Sequence, residues 1–253
     1  MQRQDEVALF IDLENVATSL HKSFGQQPNP GRLIAHARRY GPIAFARVYA
    51  DFGTDLFRSM ETSFRNANIE PFHCPAKVRG EVTQSTVDMN LGLDMYETAQ
   101  DRPTIGTFVL MAGDSDYVRV VARLRYRFDK QVVVAGVPGS VSRDLVEAAG
   151  EEDPLELAEI TPEDEEAIIR ALVKYEDSRY EGYLPTFRDA AGYVRHPANR
   201  IDPSIVDVVM NRLVERGVLV QAYEETREGN PIRTTRLDRD HPDVEDALRR
   251  ARP

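Results

Sequence analysis

A single cysteine, Cys74, stands in a chain of 253 residues. One thiol closes no intrachain disulfide, so a reducing, cytoplasmic setting is expected. Cys74 follows a strand-like run beside prolines and reads as a packed thiol, not a nucleophile. No apolar run approaches the roughly 18 residues of a membrane-spanning helix, and no membrane partner is expected. The opening Met1-Gln2-Arg3-Gln4-Asp5-Glu6 offers no apolar signal region. The five histidines, at positions 21, 36, 73, 196 and 241, are scattered and give no zinc set. A Gly-rich phosphate loop is also missing, which removes that route to nucleotide binding. No internal repeat is present.

The net charge of −10 is unevenly spread. Residues 1–150 hold 17 Lys and Arg against 18 Asp and Glu, and residues 167–253 hold 15 of each. Residues 151–166 hold nine acids and no base. The acidity therefore sits in one connector. Net charge argues neither for nor against a polyanionic partner.

What the chain has in quantity is apolar strands that end in acid. Val7 to Asp12 reads as a buried strand that delivers Asp12, with Glu14 and Asn15 just behind. A second strand, Thr107 to Ala112, ends at Gly113 and carries Asp114, Ser115 and Asp116 on the following turn. Further strands are expected at Ile43–Tyr49, Ile69–Phe72 and Gln131–Gly136. Between them lie helical patterns at 32–40, 55–66, 85–98, 117–127 and 141–149. Strands alternating with helices predict a three-layer α/β domain with a parallel sheet over residues 1–150. Asn15–Phe24 reads as a loop or short helix, and 74–84 as a loop. Residues 151–166 read as a proline-punctuated acidic linker. Residues 167–253 then carry three helical segments, the first opened by the cap Thr161-Pro162 and the third by Asp202-Pro203. Two strands around Arg227-Glu228-Gly229-Asn230-Pro231 and a polar tail follow. That order is the order of a winged helix-turn-helix.

Chemistry in open parallel sheets gathers at the carboxyl ends of strands. If the first and fourth strands are neighbours, about 5 Å apart, Asp12 stands beside Asp114 and Asp116. Asp88, at the head of the helix entering the fourth strand, is a fourth candidate, with capping of its own helix as the competing role. Ser85 has the chemistry of that cap, with Asp88 as its partner in a capping box. Asp94 lies roughly 120° further round an ideal helix and is a second-tier candidate. Four converging carboxylates repel and raise one another's pKa values. A hard divalent cation, Mg²⁺ or Mn²⁺, relieves this, activates water and neutralises charge at a phosphodiester.

The ordered set Phe10-Ile11-Asp12-Leu13-Glu14-Asn15-Val16, then Val87-Asp88 with Asp94, then Ala112-Gly113-Asp114-Ser115-Asp116-Tyr117, resembles the NYN domain of the PIN-like nuclease superfamily over about residues 5–150. The resemblance implies a sheet in strand order 3-2-1-4-5 and a metal-dependent ribonuclease site. It implies that Asp12, Asp88, Asp114 and Asp116 hold the cation and that Asn15 lines the site. Ser115 matches the motif serine. The C-terminal unit resembles, in the order of its elements, the winged-helix modules of the LOTUS or OST-HTH type that accompany NYN domains. Its third helix carries Asp207 and Glu215 beside Arg212 and Arg216, so a protein partner there is as good an expectation as nucleic acid.

Arg119, Arg123 and Arg127 recur every four residues after Asp116 and form a stripe suited to a phosphate backbone. A solvated helix face gives the same pattern. Lys77 and Arg79, ahead of Asp88, are placed to meet a strand from the other side. Tyr117, Tyr126 and Phe24 are candidates for base stacking or for the core. The first reading is a metal-dependent endoribonuclease acting on single-stranded RNA. A haloacid-dehalogenase-like phosphatase also pairs a first-strand Asp with a later Gly-Asp-Ser turn, but wants Asp where Glu14 stands. A non-catalytic RNA- or protein-binding regulator with a metal-binding acidic site is the third.

Overall fold

The computed structural model describes residues 6–79, 82–180, 182–226 and 228–250, with the side chains of 78–79 and 82–84 outside that description. The chain divides into two compact units. One takes residues 1–23 and 28–157, the other residues 24–27 and 158–253.

The first unit alternates strands and helices: β1 (Glu6–Asp12), α1 (Leu13–Phe24), α2 (Pro30–Arg38), β2 (Ile43–Ala50), α3 (Asp55–Asn66) and β3 (Glu70–His73). A small ribbon, β4 (Lys77–Arg79) with β5 (Val82–Gln84), precedes α4 (Val87–Asp101), β6 (Ile105–Met111), α5 (Val118–Phe128), β7 (Gln131–Val134) and α6 (Arg143–Ala149). Five strands form one parallel sheet in the order β3-β2-β1-β6-β7. Counted along the sheet strands alone, this is the expected 3-2-1-4-5. The near-continuous apolar runs follow from burial on both faces. In β1, Val7 to Ile11 have no exposed surface, and neither have Phe108 to Met111 in β6. Phe10 lies nearly parallel to Phe108 at 5.9 Å and beside Phe45 at 5.0 Å, so the rings pack across neighbouring strands on one face of the sheet.

Of the two alternatives for Asn15–Phe24 the helix holds: α1 starts at Leu13 and buries Leu13, Val16, Ala17 and Leu20. Two local expectations give way. The expected loop 74–84 contains the antiparallel β4–β5 ribbon. The capping box at Ser85 and Asp88 does not form: Thr86 is the N-cap and makes no side-chain cap bond. Ser85 Oγ accepts the Val87 N–H at 3.2 Å instead, and Asp88 is drawn elsewhere.

The acidic stretch 151–166 is divided. Its first part lies along β7, with the Asp153 N–H donating to Val134 O and the Leu155 N–H to Gly136 O, both at 2.9 Å. Asp153 accepts the Tyr40 hydroxyl at 2.6 Å and pairs with Arg39, and Glu156 pairs with Arg39 at 2.6 Å. Its last part opens α7 (Pro162–Asp177). There Thr161 and Asp164 close a capping box around a proline in the first turn.

The second unit continues with α8 (Phe187–Val194), α9 (Val206–Glu215), a hairpin of β8 (Leu219–Glu225) and β9 (Pro231–Leu237), and α10 (Pro242–Arg249). Ile168, Leu172, Val194, Val209, Leu213, Val218 and Val244 meet in its core. The third helix begins at Val206, later than Asp202-Pro203, because Asp202 Oδ1 accepts the Ser204 N–H and holds a turn ahead of it. Among the described residues no helix is long and apolar enough to cross a membrane.

If the stacked aromatic pair anchors the central sheet, Phe108→Ala should cost about 3–5 kcal/mol in urea unfolding. A loss below about 1 kcal/mol would contradict this placement of the core.

Candidate active site

The site forms where two adjacent strands run out. Parallel register sets Ile11 against Met111. Asp12, the last residue of β1, therefore stands beside the turn that follows β6. Asp12 is only 3% exposed. Its Oδ1 accepts the Asn15 backbone N–H at 2.9 Å and its Oδ2 accepts the Tyr117 hydroxyl at 2.8 Å. Asn15 does not cap α1 with its side chain. Its Oδ1 accepts the Gly113 N–H at 2.9 Å and ties the start of α1 to the turn after β6.

That turn needs glycine. A Cβ on Gly113 would stand 2.6 Å from Ser140 O, a backbone atom, while Gly113 O accepts the Ser142 N–H at 2.8 Å. Asp114 follows in extended conformation, and its Oδ1 accepts the Asp116 N–H at 3.1 Å. The Ser115 hydroxyl also lies against Asp114 Oδ1, at 3.4 Å. This opens a 3-10 turn, Ser115–Tyr117, which leaves Asp114, Ser115 and Asp116 exposed and buries Tyr117.

Asp88 reaches the same phenol from the first turn of α4, its Oδ1 3.2 Å from the Tyr117 hydroxyl. One hydroxyl proton thus serves two carboxylates, and the shorter contact places it on Asp12. Burial pushes the Asp12 carboxyl up to about 6, and the charges of Asp88 and Glu14 add to the rise. The bonds from Asn15 and Tyr117 pull it the other way. Burial raises Asp88 too, helped by the charges of Asp114, Asp116 and Glu14 and opposed by the Tyr117 bond. Burial, then the two carboxylates, drive the Tyr117 phenol far upward, so it acts as a permanent donor.

Among the described residues, no group of three or more His, Cys, Asp or Glu is spaced to hold a metal ion as the side chains stand. The donor chemistry nevertheless fits Mg²⁺ or Mn²⁺. It is all oxygen and strongly anionic. Two carboxylates are already drawn to one phenol, and two exposed ones bear on Asp88 through their charge.

The other expected residues separate. Asp94 is not brought to the group: its Oδ2 accepts Arg47 Nη1 and the Tyr49 hydroxyl, each at 2.7 Å. Glu14 accepts the Asp51 N–H at 2.9 Å on one oxygen and the Ser85 hydroxyl at 3.0 Å on the other. Arg119 and Arg123 are exposed on α5, and Arg127 lies 5.7 Å from the centre of the Tyr96 ring. Among the described residues none of these three arginines is in an ion pair. Lys77 is exposed on β4, and the Arg79 side chain lies outside the described residues. Burial lifts the Cys74 thiol to about 12, which suits a packing role. Tyr126 is 81% exposed, whereas Tyr117 is a buried strut with no face left for a base. The strut and the Glu14 contacts are what sequence reasoning missed. Their one local signal is a phenol directly after Asp116.

The NYN domain model matches residues 6–154. A protein of unknown function from Vibrio parahaemolyticus superposes with a TM-score of 0.56 at 22% identity, covering 62% of this chain and 96% of that one. This is a likeness of fold. Homoserine dehydrogenase from S. aureus gives a TM-score of 0.28 at 13% identity, covering 86% of this chain and 50% of that one, too low to carry an argument. No curated protein matches the chain.

The raised Asp12 pKa has a consequence for stability. Its folded value, about 6, lies above the unfolded 3.8. Ionised Asp12 therefore costs folding free energy above about pH 6, and the cost fades as pH falls towards 4. Without divalent ions, Asp12→Asn should stabilise the protein at pH 8 by about 1–3 kcal/mol, a gain lost near pH 4. Denaturant unfolding at the two pH values checks this, and a destabilised variant at pH 8 would refute it.

Proposed function

Because the chain belongs to the NYN domain family, whose fold is that of PIN-like nucleases, we propose that it is a metal-dependent endoribonuclease that hydrolyses single-stranded RNA. PIN-like nucleases generally use divalent metals. The observation that carries the reading is the meeting of Asp12 and Asp88 on the Tyr117 hydroxyl, beside an exposed turn bearing Asp114 and Asp116.

Asp12, Asp88, Asp114 and Asp116 would hold Mg²⁺ or Mn²⁺. Bound there, the cation supplies charge neutralisation at the scissile phosphodiester and a more acidic water. The chain's own part is positional. Tyr117 keeps Asp12 and Asp88 on one proton donor. Asn15 fixes the Gly113 turn, and Gly113 admits the close approach of Ser140 that aims Asp114 outward. The exposed stripe Arg119, Arg123, Arg127 begins three residues beyond Asp116 and suits a phosphate backbone entering the site. Arg212 on α9 and Arg216 just after it contrast with it: Arg216 is held by Glu165 and Asp243, and Arg212 faces Glu165. The phosphatase reading is disfavoured because both oxygens of Glu14, where that chemistry wants a free acid, are engaged.

A labelled single-stranded RNA should be cut in Mn²⁺ and left intact in EDTA, with Asp12→Asn folded, still RNA-binding and at least a hundredfold slower. Metal-independent cutting, or full activity in Asp12→Asn, would sink the reading. RNA binding without cutting by the wild type would make the protein the non-catalytic regulator.

The arginine stripe is tested by salt. Each phosphate contact contributes a slope of about −0.7 in log affinity against log salt on single strands. Replacing Arg119, Arg123 and Arg127 together by Gln should reduce the slope by about two. An unchanged slope returns these side chains to an ordinary solvated face and moves the substrate path towards Lys77.

A further inference from the structure

We propose that Glu14 is not a cation ligand but a positioning residue, which seats the start of α4, and with it Asp88, against the end of β1. The proposal rests on the reading of the acidic group as a divalent-cation site.

Three segments distant in sequence meet at this side chain. Glu14 belongs to the first turn of α1, two residues after Asp12. One carboxylate oxygen accepts the Asp51 N–H just after β2, at 2.9 Å. The other accepts the Ser85 hydroxyl just before α4, at 3.0 Å. Each partner is itself a connector. Asp51 Oδ2 accepts the Ala76 N–H at 3.2 Å, where the chain leaves β3 for the ribbon. Ser85 Oγ accepts the Val87 N–H at 3.2 Å, so its hydroxyl is both anchored and anchoring.

The head of α4 needs such an anchor. Its N-cap, Thr86, makes no side-chain bond to the helix, because Thr86 Oγ1 donates to Pro75 O at 3.1 Å. Ser85 therefore satisfies the Val87 N–H, one of the orphan donors of the helix end, and Glu14 fixes Ser85. Asp88 is the next residue along. Glu14 thus bears on the separation of Asp88 from Asp12 through Ser85, and its charge reaches both carboxylates. Each of its oxygens is committed to one of these two donors, Asp51 N–H and the Ser85 hydroxyl.

Two substitutions separate this role from ligation. In Glu14→Gln the amide oxygen still accepts from Asp51, and the amide nitrogen donates to Ser85 Oγ, so the bracket survives while a carboxylate ligand is lost. In Ser85→Ala every carboxylate survives while the bracket is cut. Mn²⁺ binding to the full chain should be measured by calorimetry for wild type, Glu14→Gln, Glu14→Ala and Ser85→Ala. Glu14→Ala should weaken binding about tenfold or more and Ser85→Ala several-fold, as for residues that orient ligands. Glu14→Gln should stay within about threefold of wild type. A Glu14→Gln protein that binds as poorly as Glu14→Ala overturns the proposal. So does a Glu14→Ala or Ser85→Ala protein that binds like wild type.

If the wild type binds no Mn²⁺, it is the cation-site reading that fails, and amide hydrogen exchange then decides on Glu14 alone. The Asp51 and Val87 amides should exchange faster in Glu14→Ala and at the wild-type rate in Glu14→Gln. Unchanged exchange in Glu14→Ala overturns the bracket.

Discussion

A carboxylate placed at the buried end of the central strand is expensive unless it is hydrogen-bonded or paired, and the first unit is arranged around meeting that demand for Asp12. The backbone of α1 supplies one donor through Asn15, and the turn after β6 supplies the other through Tyr117. The first donor is local, three residues on in α1, but the second is in place only because β1 and β6 are neighbours in parallel register. The strand order, the glycine at 113 and the 3-10 turn that sinks Tyr117 are therefore conditions on one side chain's solvation. The demand is only partly met, since burial still lifts Asp12 to about 6.

The residual tension is what gives the site its chemical character. Asp88 shares the same phenol, and the exposed Asp114 and Asp116 raise it further. Sites built to bind charge commonly give up stability in the empty state. Such a group gains by taking up positive charge, a proton as pH falls or a hard cation with oxygen ligands. Among the described residues Arg119, Arg123 and Arg127 on α5 are in no ion pair, whereas Arg47 on β2 is held by Glu70 and Asp94.

Much of this was legible in the residues. Apolar runs ending in Asp12 and in Gly113-Asp114 marked two buried strands and their chemical ends, because burial on both faces demands such runs. The order of the sheet came with the family resemblance, since periodicity does not tell which strands pair. What failed locally failed for tertiary reasons. Ser85 and Asp88 have the spacing of a capping box, but Tyr117, 29 residues on, holds Asp88. Asp94 looked free until Arg47 and Tyr49 claimed it from β2. Residues 151–157 have the composition of a linker, yet Asp153 meets Tyr40 and Arg39 more than 110 residues earlier in the chain. The ribbon at 77–84 had a signal, a Gly-Glu pair between two Val-bearing triplets, within a stretch whose polarity reads as loop.

The central claim is that these acids form one divalent-cation site. Crystals soaked in Mn²⁺ and measured for anomalous scattering test it most directly. The account predicts a single strong peak within carboxylate-coordination distance of Asp12 and of at least one of Asp88, Asp114 and Asp116. No peak there at millimolar Mn²⁺, or a peak only at carboxylates outside this group, would contradict it.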